Sequence, residues 1–185
     1  MDVAMLNGQL VIGCQSGSGL GGYLVNFINE LMIDMVNYGS ANDQFFHKFG
    51  DISQRNVSTT RAVGQRYSVG QEDPVITGRL NSGIVNDVDM TVLPDAPINV
   101  TTGLPEPTII LATNSGINII RDDGAMAFIT AGAGASYNAT RYVRITDTHN
   151  LIFEQDSGDR AQFFISLPDA SRTTQTSDGV ITDKV

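Results

Sequence analysis

The sequence predicts an all-β fold built from short antiparallel meanders, repeated as propeller-like units in an array that 185 residues leave incomplete. Three observations predict it. The chain matches itself at an offset of 34 positions, pairing Ile109 with Val143, Leu111 with Ile145, Ile117 with Leu151, Ile119 with Phe153, Asp122 with Asp156 and Gly124 with Gly158. A looser match at 85 positions pairs Asp2-Val3-Ala4-Met5 with Asp87-Val88-Asp89-Met90. Nineteen Gly, with many Asn, Ser and Thr and no Trp, supply frequent tight turns, because these residues reach positive φ or bond their own backbone.

Each element follows from this frame. The first repeat, 1–36, has strand material at Asp2 to Met5, at Leu10 to Cys14 and at Tyr23 to Ile28. Its last element, Glu30 to Tyr38, has no convincing helix cap and reads as a strand. The glycine-rich run from Gly17 to Gly22 lacks the Lys-Ser/Thr ending of a phosphate loop and is expected to join two strands of a hairpin. Residues 37–85 depart from the repeat as a polar insertion, with a possible hairpin of their own at Arg66 to Val69 and Val75 to Thr77. The second repeat, 86–130, opens on Asp87 to Met90, crosses a loop holding Pro94, Pro97, Pro105 and Pro107, and resumes at Thr108 to Thr113, Ile117 to Asp122 and Ala125 to Thr130. Four prolines without amide donors place that loop on the surface, outside any sheet. The third repeat, 140–167, carries Tyr142 to Thr146, Leu151 to Gln155 and Ala161 to Leu167. In it Asn150 takes the place of Gly116, since both residue types reach the left-handed region. Residues 168–185, rich in Thr, Ser and Asp, read as a tail that a partner would order.

All of 1–185 is expected to form one unit, because that length suffices for one sizeable core and not for two; closed propellers take about four to eight blades and about three meanders are counted here, so the array is expected to be incomplete. Further sequence or partner subunits would complete it. A β-sandwich of the same meanders is the alternative architecture.

Composition narrows the function. Hydrophobic residues at 41% support a core, and eleven basic against twenty acidic residues give a net charge of -9. Such a chain repels phosphate backbones, so nucleic acid is not an expected partner. The amino-terminal Met1 to Leu10 has neither a basic start nor an apolar block, so it reads as neither signal peptide nor membrane span. A single cysteine, Cys14, and two histidines, His47 and His149, point to no metal centre and no cofactor. Cys14 continues the apolar alternation of Leu10 and Ile12 and is expected to pack as a small hydrophobe; His149 and the pair Asp122-Asp123 are expected in turns. No catalytic set is predicted.

Two groups are candidates for an interface. Phe45, Phe46, His47 and Phe49 form an aromatic cluster suited to anchoring a partner, and Arg55, Arg61, Arg66 and Arg79 gather positive charge within the insertion, opposite in sign to the rest of the chain.

The stretch from Asn86 to Pro97, with Gly103-Leu104-Pro105-Glu106-Pro107-Thr108 and Ile117 to Gly124, resembles propeller-like repeats in structural proteins of marine tailed bacteriophages. Those repeats likewise join a proline-rich connector to an apolar strand, a Gly turn, a second strand and an Asp-Gly turn. The resemblance spans Asn86 to about Leu167 and, weakly, the first forty residues. It implies a non-enzymatic virion component of the tail, nozzle or fibre, whose partners are other virion proteins or copies of itself. The alternative is a receptor-recognition module that binds or processes host-surface glycan. A glycosidase would need two carboxylates roughly 5 to 10 Å apart across a pocket, and the chain offers no Trp to stack on a sugar ring.

Overall fold

A computed structural model describes residues 1–15, 20–28, 31–36, 46–51, 80–131, 139–155, 160–163, 167 and 172–174. Among them are thirteen strands and no helix: β1 (Asp2–Leu6), β2 (Gln9–Gly13), β3 (Leu20–Asn26), β4 (Leu31–Val36), β5 (Phe46–Asp51), β6 (Val85–Thr91), β7 (Thr108–Thr113), β8 (Gly116–Ile120), β9 (Met126–Ala131), β10 (Thr140–Ile145), β11 (Leu151–Gln155), β12 (Arg160–Phe163) and β13 (Arg172–Thr174). They form three sheets. The first has the order β1-β2-β3-β4-β5, the second β13-β9-β8-β7-β6 and the third β10-β11-β12. Every pairing is antiparallel except β13 with β9, which run parallel. The described part is thus an all-β array of meanders that does not close on itself.

Local chemistry sets the turns. Asn7 and Gly8 have φ of 48° and 78°, the two left-handed residues that a tight hairpin with right-handed strand twist requires, and they join β1 to β2. Between β8 and β9 the Arg121 amide donates to Ala125 O, the Gly124 amide donates to Arg121 O, and Gly124 has φ of 81°. The same pattern recurs between β10 and β11, with Thr146 N to Asn150 O and His149 N to Thr146 O. There the left-handed residue is His149, with φ of 61°, and not Asn150. Asn150 instead donates its amide to Thr146 Oγ1, which leaves the preceding residue to turn the chain.

The sheets stack in chain order, and the second lies in the middle. One of its faces supplies Val85, Val88, Ile109, Leu111 and Ile120 to a core shared with Val11, Leu24 and Met35 of the first sheet. Its other face supplies Ile110, Ala112, Ile117, Ile119, Ala127 and Ile129 to a core shared with Val143, Leu151 and Phe153 of the third. Burial on both faces explains why β7 and β8 are apolar on both sides instead of alternating, β8 being interrupted by Asn118. Among the buried polar side chains, Asn118 is satisfied by Asn81, which accepts its Nδ2 at 2.9 Å and donates its own backbone amide to Asn118 Oδ1 at 3.0 Å.

Two elements differ from the sequence reading. The polar insertion contributes β5, which extends the first sheet beyond β4, and the tail contributes β13, which extends the second beyond β9. The proline loop does lie outside the three sheets, closed on itself by an isolated bridge between Ile98 and Pro105.

Candidate functional site

Of the predicted interface residues, Phe46, His47 and Phe49 lie on β5, the last strand of the first sheet, with Phe46 opposite Met35 and His47 opposite Asp34 in register. Phe45, Arg55, Arg61, Arg66 and Arg79 lie outside the described residues, as does the hairpin expected at Arg66 to Thr77.

A different set of residues converges where the first strands of the sheets meet. β6 and β10 run the same way, joined by side chains of β6 that reach the backbone of β10. Asn86 Nδ2 donates to Thr140 O at 2.7 Å, Asp87 Oδ2 accepts from Val143 N at 2.8 Å, and Asp89 Oδ2 accepts from Ile145 N at 2.8 Å. His149 Nε2 lies 3.0 Å from Val92 O and extends the line. Residues i and i+2 of one strand share a face, so Asp87 and Asp89 match the two alternate amides of β10 that point away from β11. Unpaired edge amides invite strand addition, and here carboxylates occupy them.

The same contact is made one sheet earlier, where Asp2 Oδ2 of β1 accepts from Val88 N of β6 at 3.2 Å. Asp2 and Asp87, matched at 85 positions in the sequence, thus do the same work in successive sheets. In packing terms β10 relates to β6 as β6 relates to β1. The 34-residue match, which sets β10 against β7, is one strand out of step with this arrangement.

Asp87 is 7% exposed and also accepts from Arg144 NH1 at 3.0 Å. The guanidinium bonds Val143 O at 2.6 Å and lies over the Tyr142 ring, 4.8 Å from its centroid. Burial above all, with the hydrogen bond to the Asp2 carboxyl, raises the Asp87 pKa to about 6 against the lowering influence of the Val143 amide and Arg144. That bond holds the Asp2 carboxyl below its ordinary value. Asp2 holds the Val88 amide and Asp87 the Val143 amide, so the two acids clamp successive first strands of the sheets.

The proline loop forms a second constellation. Asn99 accepts the amides of Thr101 and Thr102 on Oδ1, the Gly103 amide donates to Asn99 O, and Gly103 has φ of 68°. The loop is fastened to the first sheet by Asn7 Nδ2 to Pro105 O and Gln9 Nε2 to Glu106 Oε2, each 2.7 Å, while Glu106 Oε1 accepts from Asn99. Held this way, it presents Ile98, Val100 and Leu104 to solvent, Val100 at 99% exposure.

Neither the seam nor the loop contacts was singled out from sequence. Two acids at i and i+2 inside an apolar strand, repeated at Asp2, were the available signal for the first; Asn7-Gly8 was the signal for a hairpin fixed in place beneath the second. Among the described residues no group of three or more His, Cys, Asp or Glu is placed to hold a metal ion, and no helix is long and apolar enough to cross a membrane. No family model matches the chain, and no curated protein or solved structure matches it.

Proposed function

We propose that the chain is a structural component of a tailed-phage virion, of the tail, nozzle or fibre, which acts by subunit packing and loop contacts and carries no catalytic centre. One observation carries this reading: the proline loop is pre-organised by its own hydrogen bonds and by Asn7 and Gln9, yet it displays three large apolar side chains. Ordering a surface loop costs conformational entropy, and a loop already ordered in the free chain makes contact without that cost. Exposed apolar groups on a fixed frame suit a protein partner, and the propeller-like reading of the stacked meanders places such loops at the rim of an array. Peptides of the chain are expected in gradient-purified particles of the virus that encodes it. The double variant Ile98→Asp with Val100→Asp is expected to unfold at the wild-type urea midpoint and to be lost from those particles. Saturable sugar binding on a glycan array by a chain absent from particles would overturn the reading.

A further inference from the structure

The second sheet meets the first through two cross-strand rows, Val88-Leu111-Asn118 and Met90-Ile109-Ile120. By register the first sheet carries the same rows on the face turned away from the second: Val3-Ile12-Tyr23 and Met5-Leu10-Val25. The correspondence is chemical at almost every place, Val for Val, Met for Met, and Ile, Leu or Val for one another. Exposure differs. Val88 is 2% exposed beneath the first sheet, whereas Val3 is 54% and Met5 63% exposed; Leu10, Ile12 and Tyr23 are half-buried and Val25, on β3, is buried, so the open part of the face lies at β1 and β2. Alternate residues Asp2 and Ala4 of β1 face β6, so Val3 and Met5 stand on the opposite side.

We infer that this outer face of the first sheet, at Val3 and Met5 of β1, is a docking surface for a further antiparallel meander supplied by a partner polypeptide and seated on β1 as β1 is seated on β6. The inference deepens the assembly reading and rests on it. The existing interface specifies the partner's chemistry: an acid on its first strand at the place of Asp2, small apolar side chains at the places of Ala4 and Val11, and glycine at the place of Gly13. A glycine suits that place because a Cβ on Gly13 would stand 3.0 Å from Val88 Cγ1, and Val3 is the counterpart of Val88 on the receiving face. A second copy does not meet this requirement with the outer side of its third sheet. There the register sets exposed Tyr142 opposite exposed Glu154, at the places that Asp2 and Gly13 hold in the first sheet. Seating a glutamate at that place would bury its charge unpaired, which is costly.

The first-sheet meander itself is the probe. The full chain is lengthened at its amino terminus by a second copy of residues 1–36 that carries Met5→Leu, joined by a linker as long as the 132–139 segment, and peroxide oxidation of each methionine is followed by mass spectrometry, so that the only Met5 is that of the receiving sheet. In the unextended chain Met5 is expected to oxidise far faster than Met90 and Met35. In the extended chain the Met5 rate should fall about tenfold, toward that of Met90, since thioether oxidation follows exposure. Val3→Asp in the receiving sheet should restore it. Unchanged Met5 oxidation in the extended chain overturns the inference even if the added segment is digested by protease, because a lone meander gains its order only by docking. A concentration-dependent dimer of the unextended chain that shields Met5 also overturns it, by assigning the face to a second copy. Met5 protection by the added meander together with absence of the chain from particles would sink the virion reading and leave the docking face standing.

Discussion

At the scale of residues, the clamp between the first strands turns on one proton. The Asp87 carboxyl is raised from 3.8 to about 6, so the native chain keeps a proton that the unfolded chain releases. Its contribution to stability is fully present below about pH 4 and is lost as the pH rises through about 6. Asp2 shifts the other way, so its contribution is present above its ordinary value and lost as the pH falls below it. Asp87→Asn retains a carbonyl oxygen to accept the Val143 amide and removes the titration. Urea midpoints measured across this window should decline more steeply with rising pH in the wild type than in the variant; equal slopes would show that Asp87 does not titrate above the ordinary carboxyl range. None of this was readable from Asp87 alone. An acid inside an apolar strand is a puzzle in sequence, and its solution is a strand 56 residues further on.

At the scale of elements, most strands were legible because alternation and turn chemistry are local. Thr108–Thr113 and Leu151–Gln155 begin and end where apolar runs meet turn residues. The element from Leu31 to Val36 is a strand, although its methionines and leucine suit a helix equally well, because β3 offers it a ladder. The relation between repeats was less legible. Two meanders that share an apolar strand, a turn and a second apolar strand align in sequence at any phase that preserves the pattern, so β7 to β9 match β10 to β12. The packing that decides equivalence depends on which strand faces which across the stack, and residue types within one meander do not record that. The left-handed residue after β10 was misplaced by one position for a related reason: Asn150 is the better candidate by type, but the hydroxyl of Thr146 captures its amide. Close approach between sheets gives this scale its test. Gly13→Ala is expected to destabilise the chain by about 1–3 kcal/mol through overpacking against Val85 and Val88. A variant within a few tenths of wild type in chemical denaturation would show that β2 and β6 are not in that contact.

For the whole molecule, the described residues form three sheets stacked in chain order with two end faces, and among them the middle sheet is the one buried on both sides. The end faces are unlike. One repeats the apolar rows that already join the first two sheets, and the other shows Tyr142, Arg144 and Glu154. An array with one apolar and one polar end is suited to addition at a single end. The sequence indicated incompleteness through its length and repeat count, whereas the identity of the receiving face emerges only when registers of two sheets are compared. The central claim is that partners complete this array in a particle, and methionine footprinting of the chain within purified particles tests it most directly. The account predicts that the chain is present and that Met5, readily oxidised in the isolated chain, is protected there while Met35 is unreactive in both states. A chain absent from the particles, or present with Met5 oxidised as fast as in isolation, would contradict it.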